Sequence, residues 1–444
     1  MARPDSTSRA LSVPSSRLSR FGRLSALTAG VAGNMAVHGL AQWGQGQRPG
    51  MRDLLLTPHN MRRVADQLAQ MRGAAMKVGQ LMSMDSGDVL PPELAEILAR
   101  LRDDAHFMPP AQLKKVLNAA WPKGWLGQFA KFDVRPIAAA SIGQVHRAQL
   151  KDGRDLAIKV QYPGVARSID SDVANVGALI RLTGLLPKGF ELGPYLEEGR
   201  KQLHEETDYL REAAQLTRFR EVLADWPGVQ LPEVAQDWST QTVLAMSHLK
   251  GEPVEAAMVL DQCRRNDLAR RLIVLTLAEM FDFGLMQTDP NFANYLYDAS
   301  ADRIILLDFG ATRDLDPKVT AQYRALLKAG LADDAVGLRQ TAVEMGFLAA
   351  DTEERHADQV VRMMRIAFGA LGTDGCYDFT DQTVSRLMQA EGMALAEAGF
   401  VPPPVPIDVL LIQRKLGGVF LLAARLGATL NIQEMLAQYV ETAA

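Results

Sequence analysis

Gln287-Thr288-Asp289-Pro290-Asn291-Phe292-Ala293-Asn294, continued at Ile304-Ile305-Leu306-Leu307-Asp308-Phe309-Gly310, is the stretch whose reading decides the fold. Asp289 and Asn294 stand in Asp-x-x-x-x-Asn spacing, and Asp308 follows fourteen residues after Asn294, behind four apolar residues. The apolar run Ile304–Leu307 reads as the strand that delivers Asp308. Mg²⁺ takes oxygen ligands and keeps phosphate oxygens in its shell, so two carboxylates and an amide on neighbouring loops suit it. Singly the pieces are weak, since Asp-Pro-Asn is ordinary turn chemistry. In this order and spacing they point to a metal–phosphate site.

Upstream residues supply the rest of a kinase pattern. There Asp289 is the catalytic-loop Asp, Asn294 holds one Mg²⁺ and Asp308 holds another between the β- and γ-phosphates. Ala138-Ala139-Ala140-Ser141-Ile142-Gly143-Gln144-Val145 overlays Gly-x-Gly-x-x-Gly-x-Val, with alanine in the first two glycine places. Such a loop brings backbone N–H groups against phosphates. Alanine disfavours positive φ, so a stiffer loop and an altered nucleotide pose are expected. After a turn at Lys151-Asp152-Gly153-Arg154, Leu156-Ala157-Ile158-Lys159-Val160 reads as a strand. Its Lys159 would pair the α- and β-phosphates.

Lys159 requires a carboxylate on a following helix. Tyr195–Leu223 reads as one long helix carrying Glu205, Glu206, Asp208 and Glu212. Asp208 and Glu212 share a face, and Glu206 points elsewhere. Either this is a solvated acidic face, or two carboxylates serve two lysines. Gln241–Ser247 reads as a strand, and His248-Leu249-Lys250-Gly251 as a hinge between lobes; Met246 and Leu249 are counted among the nucleotide contacts. Leu268–Phe283 reads as a buried helix leading into the catalytic loop. After Gly310 there is no Ala-Pro-Glu and no evident activation segment, and the chain reads as helical from about Pro317 onward.

Before the phosphate loop, Met61, Val64, Leu68, Met71, Ala75, Val78 and Met82 recur at helical spacing. Lys77 lies off that stripe, either as an ordinary exposed lysine or with a task of its own. A second helix is expected from Pro91-Pro92-Glu93, and Met108-Pro109-Pro110 reads as the close of this helical leader. Residues 1–23 carry Arg3, Arg9, Arg17, Arg20 and Arg23 against the single acid Asp5. A solvated tail, a transit peptide, or a basic segment lying with Leu24–Trp43 on an anionic membrane all fit.

Composition narrows the class. The chain has 444 residues, 48% hydrophobic and 23% charged, which is globular. A net charge of −4 gives no basic field for nucleic acid. Cys263 and Cys376 suggest neither a disulfide framework nor a zinc site. The most apolar stretches, Leu24–Trp43 and Val405–Leu426, are interrupted by polar residues; Asp408, Arg414, Lys415 and Arg425 break the second.

Together these residues resemble the UbiB/AarF family of atypical kinases, in its coenzyme Q biosynthesis branch. The marks are Lys77-Val78-Gly79-Gln80, the alanine-rich loop, Lys159, Glu206-Thr207-Asp208, the Gln287–Asn294 stretch and Asp308-Phe309-Gly310. Gln287 and Asn291 depart from the catalytic loop of many bacterial members and match the branch typified by mitochondrial coenzyme Q proteins.

The resemblance implies an α+β, protein-kinase-like bilobal fold with a helical N-terminal extension and a mostly helical C-lobe. Expected segments are 1–50 (basic targeting or membrane-proximal), 51–130 (helical extension), 131–250 (N-lobe) and 251–444 (C-lobe). It implies ATP and Mg²⁺ as cofactors and pairs Lys77 with Glu206 and Lys159 with Glu212. Its partners would be a ubiquinone precursor or other isoprenoid lipid, an anionic membrane surface and ubiquinone-biosynthesis enzymes. Protein substrates would be excluded by the leader. The expected location is the bacterial cytoplasm, peripheral to the inner membrane, or the matrix face of the mitochondrial inner membrane.

Overall fold

The computed structural model describes residues 73–75, 77–79, 107–140, 142–183, 191–372 and 375–441. Residues 73–75 and 77–79 are helical, within the first expected leader helix. The second leader helix, the segment 1–50, Gln80 and Ser141 lie outside the described residues. The chain divides into two compact units, Met1–Thr217 with Pro232–Leu249, and Arg218–Leu231 with Lys250–Ala444.

The first unit is built on an antiparallel sheet. Its strands are β1 (Phe129–Phe132), β2 (Ala138–Ala139), β3 (Gly143–Leu150), β4 (Asp155–Gln161) and β6 (Val243–Ser247). The order is β1-β3-β4-β6, with β2 on β3. The β3–β4 turn needs Gly153, whose φ is +96°. Register sets Lys159 opposite Val145 on one side and Leu244 on the other.

The sequence reading ends the leader at Pro110, but in the structure Pro110 opens another helix, α1 (Pro110–Ala120). Proline suits a helix's first turn because its missing N–H has no partner to lose there. Leu113 and Leu117 of α1 share one core with Trp121, Trp125, Phe129, Ile158, Val160 and Trp238. The Trp121 indole N–H, which needs an acceptor once buried, donates to the Trp238 carbonyl at 3.0 Å.

The helix expected over Tyr195–Leu223 is broken in two. After α2 (Val165–Thr183) come α3 (Leu192–Glu206) and α4 (Tyr209–Val222). The Thr207 carbonyl accepts from the buried Gln161 amide at 2.6 Å instead of continuing the helix. Asp208 then accepts from the N–H groups of Leu210 and Arg211, both at 3.1 Å, and so caps α4. The periodicity of the two helices hides this break, because its cause lies on another strand.

The second unit holds the sheet β5-β10-β9-β7, formed by β5 (Val229–Gln230), β7 (Glu252–Pro253), β9 (Tyr295–Asp298) and β10 (Arg303–Leu306). A separate pair joins β8 (Leu285–Gln287) to β11 (Thr312–Asp314). The helix before β8 is α5 (Gln262–Phe281), longer at its start than expected because the Asp261 side chain caps it. The chain then runs through α6 (Pro317–Leu331), α7 (Ala335–Glu344), α8 (Glu354–Leu371), α9 (Thr383–Glu397), α10 (Ile407–Arg425) and α11 (Ile432–Glu441). A short pair, β12 (Tyr377–Asp378) with β13 (Thr429–Leu430), interrupts the expected all-helical run. No helix among the described residues is long and apolar enough to cross a membrane.

Candidate active site

The residues singled out by sequence fall into two groups, one in each unit. In the first, Lys159 on β4 donates to both carboxylate oxygens of Glu212 on α4, at 2.6 and 2.8 Å. Both side chains are buried, at 5% and 3% exposure. The Lys159 ammonium also sits 5.2 Å from the Tyr209 ring centroid, within cation–π range. Lys77 forms an ion pair with Glu206 at the end of α3, with side-chain exposures of 6% and 15%. Thus two carboxylates do meet two lysines, and Lys77 is not an exposed surface residue. Asp208 is elsewhere engaged: it caps α4 through the backbone. The helix break puts Glu206 and Glu212 on different helices, so each reaches its own lysine.

The small-residue loop is a tight hairpin. Ala138 pairs with Val145 and Ala139 with Gln144, and the Ala140 N–H donates to the Gly143 carbonyl at 2.8 Å. A Cβ on Gly143 would come within 2.5 Å of the Val160 carbonyl oxygen and 2.7 Å of the Tyr209 hydroxyl. Glycine here is therefore required by packing, quite apart from any phosphate. Met246 is buried and pairs with Ala157, while Leu249 is half-buried beyond the end of β6.

Beside the hairpin runs a buried polar chain. The Met108 N–H donates to Gln144 Oε1 at 2.8 Å, and Gln144 Nε2 donates to His146 Nε2 at 2.8 Å. His146 Nδ1 donates to the Asp133 carbonyl at 2.9 Å. Burial pushes the His146 pKa down to about 4, against the opposing pull of Asp133. The imidazole is neutral at pH 7, as this donor–acceptor order requires.

In the second unit the candidate catalytic loop is pinned to the segment that carries Asp308. The Leu307 N–H donates to the Asn294 carbonyl at 3.1 Å, and both the N–H and hydroxyl of Thr288 donate to the Ala311 carbonyl, at 3.1 and 2.8 Å. The Gly310 N–H donates to Asp308 Oδ1 at 3.0 Å. Phe309 is buried against Phe219, with ring centroids 5.0 Å apart. Beyond Gly310 only β11 precedes α6.

Asn294 Nδ2 donates to Asp289 Oδ2 over a long 3.4 Å. That turns the Asn294 amide oxygen, the atom a cation needs, away from the carboxylate. With Asp308, the donors are one carboxylate and one amide oxygen. Among the described residues no cluster of three or more His, Cys, Asp or Glu could cage a metal. The donor set fits Mg²⁺, which draws much of its shell from phosphate and water.

Sequence reasoning missed a set of residues behind this loop. Arg414 on α10 donates to Asp289 Oδ1 at 2.7 Å. Its neighbour Lys415 donates to Gln287 Oε1 at 3.2 Å and to the Tyr295 hydroxyl at 3.0 Å. Lys415 also stands 3.2 Å from Glu279 Oε2 on α5, the two side chains being 3% and 1% exposed. Burial pushes the Glu279 carboxyl up, to about 7, against the pull of Lys415. Burial opposes the Lys415 charge too, but Glu279 and Tyr295 outweigh it and hold its pKa above the ordinary value. Two adjacent cations inside the apolar run Val405–Leu426 were the available signal.

Comparison with known proteins bears on the family and the fold. Residues 100–342 match the family model described as the ABC1 atypical kinase-like domain. The chain is 37% identical over 434 residues to "Atypical kinase COQ8, mitochondrial" of Saccharomyces cerevisiae, covering 97% of this chain and 86% of that protein. It is also 37% identical over 435 residues to "Atypical kinase COQ8B, mitochondrial" of Rattus norvegicus, covering 96% and 81%.

The chain belongs to the UbiB/AarF family of atypical kinases, in the branch that holds the COQ8 proteins.

A solved structure, the complex of Rv3197 with erythromycin from Mycobacterium tuberculosis, superposes at a TM-score of 0.58 with 24% identity, covering 86% of this chain and 97% of that one. The fold is kinase-like. In this UbiB/AarF member, α10 with Arg414 and Lys415 lies beyond the residues matched by the family model.

Proposed function

We propose that the protein binds Mg-ATP and turns it over in support of ubiquinone biosynthesis, acting on or extracting isoprenoid intermediates at a membrane. The observation that carries this reading is the Lys159–Glu212 pair, buried and doubly hydrogen-bonded. A charged pair withdrawn from water is weak as a source of stability. It is well suited to hold one ammonium in a fixed place for phosphate oxygens. Asn294 and Asp308 would hold Mg²⁺, which neutralises charge at the β- and γ-phosphates when bound. Asp289 would orient the nucleophile. The hairpin Ala138–Val145, including Ser141, would border the phosphates, and Met246 and Leu249 the base. Lys77, paired to Glu206, would tie the leader to this nucleotide-binding half.

A small-molecule or water acceptor is favoured over a protein one, since the six residues between Gly310 and Pro317 leave no room for a long activation segment. The proposed location is peripheral to the bacterial inner membrane, or the corresponding matrix face in mitochondria. Residues 1–50 would contact anionic lipid. Ubiquinone-biosynthesis enzymes are the expected protein partners.

A second reading, a nucleotide-gated scaffold with incidental turnover, draws on Arg414. One Asp289 oxygen, Oδ1, is already occupied by that guanidinium and is not open to a substrate hydroxyl. Steady-state phosphate release with purified protein, with and without anionic liposomes and a quinone-like phenol, separates the readings. Stimulation by lipid and phenol together supports the enzyme; slow release indifferent to both supports the scaffold.

A further inference from the structure

We propose that Lys415 is a positioning residue that ties the two ends of the catalytic loop together. The loop from Gln287 to Tyr295 contains Asp289 and Asn294. Its first residue ends β8 and its last begins β9, strands of two different sheets. No backbone ladder therefore joins the ends. The Lys415 ammonium does: it donates to Gln287 Oε1 at 3.2 Å and to the Tyr295 hydroxyl at 3.0 Å, from a single nitrogen.

Three further observations support the assignment. The Gln287 Nε2 is buried and finds no hydrogen-bond acceptor among the described residues. With that donor unused, the Lys415 contact is, among the described residues, the one side-chain bond that sets which way the amide faces. Second, a buried ion pair is often no more stabilising than apolar residues of the same volume. Lys415 and Glu279 are thus poorly explained by stability alone, whereas an ammonium can hold two acceptors at fixed angles. Third, α10 meets the loop again between its ends. A Cβ on Gly418 would lie 2.2 Å from Pro290 Cβ, so glycine lets the helix backbone approach the loop closely. Glu279 on α5 is the counter-ion, and Tyr295 on β9 and Lys415 on α10 are the other titratable groups of the cluster.

The inference rests on the proposed nucleotide turnover for its kinetic readout, and on the loop alone for its direct one. Three proteins decide it: wild type, Lys415→Met, and Lys415→Met with Glu279→Gln. The single variant leaves a buried carboxyl unpaired and is expected to lose stability. The double variant removes both charges and is expected to recover most of the lost melting temperature.

Amide hydrogen exchange is then followed at residues 288–294, relative to amides in the middle of α5. In the double variant the loop amides should exchange at least about tenfold faster than in wild type while α5 keeps its protection. Phosphate release should fall about a hundredfold in kcat, with KM for ATP changed less than about twofold, as for a misplaced but intact site. Loop exchange that stays at the wild-type ratio, or that rises only in step with α5, overturns the positioning role. A wild type that releases no phosphate overturns the turnover reading instead, and the exchange ratio still decides the role of Lys415.

Discussion

Arg414 donates a 2.7 Å hydrogen bond to Asp289 across 125 residues of chain. One guanidinium from α10 thereby holds the acid of the candidate catalytic loop, with only 11% of the Arg414 side chain exposed. Charge-assisted bonds of this kind contribute about 1.5–3 kcal/mol.

Arg414→Gln should therefore lower phosphate release by about 10- to 150-fold, the range that energy spans if the bond is needed in the transition state. Mg-ATP binding, read by titration, should be retained. Wild-type turnover in a folded Arg414→Gln protein would mean that Asp289 needs no such partner.

Lys159 and Glu212 form the most enclosed pair of the first unit's candidate residues. Lys159→Ala or Glu212→Ala leaves a buried charge alone, at a cost of about 3–5 kcal/mol. The double variant should cost much less than the sum. Strict additivity in a denaturant-melt cycle would show that the two residues act independently.

Asp308→Asn should keep the fold and lose the stabilisation by Mg-ATP. At ligand 100-fold above its Kd, binding adds about 2.7 kcal/mol. Differential scanning fluorimetry with and without Mg-ATP reads this directly. An undiminished shift in the variant would remove Asp308 from the metal site.

His146 makes stability depend on pH. Its folded pKa, down at about 4, is below the unfolded value near 6.5. Between these values the unfolded chain takes up a proton that the folded chain does not. Stability is thus fully present above pH 6.5 and is lost as pH falls toward 4, by about 3 kcal/mol in all. His146→Gln keeps a polar side chain without that proton. The difference in unfolding free energy between wild type and variant should shrink on going from pH 7 to pH 4.5. A pH-independent difference would count against a neutral buried imidazole.

Much of the candidate site was legible in the sequence because its signals are local. Lys159 announces itself by the strand pattern Leu156–Val160 after a turn, and Asp308 by the apolar run before it. The order of these motifs, with the Asp289–Asn294 spacing, was enough to name a kinase-like fold and its family. The acidic run Glu205–Glu212 was legible only as a set of candidates.

Which carboxylate meets which lysine was decided by tertiary structure. Gln161 takes the Thr207 carbonyl and Asp208 caps the next helix, so the run is split and its acids diverge. The same holds for the Ala140–Gly143 backbone bond and for the lack of room for a Cβ on Gly143, since the space there depends on how β3 meets β4 and α4. Arg414 and Lys415 are the clearest case. In sequence they are two charges interrupting an apolar helix. Only the packing of α10 against the loop gives each a partner, because a buried charge is tolerated only where distant residues supply its counter-charge and acceptors.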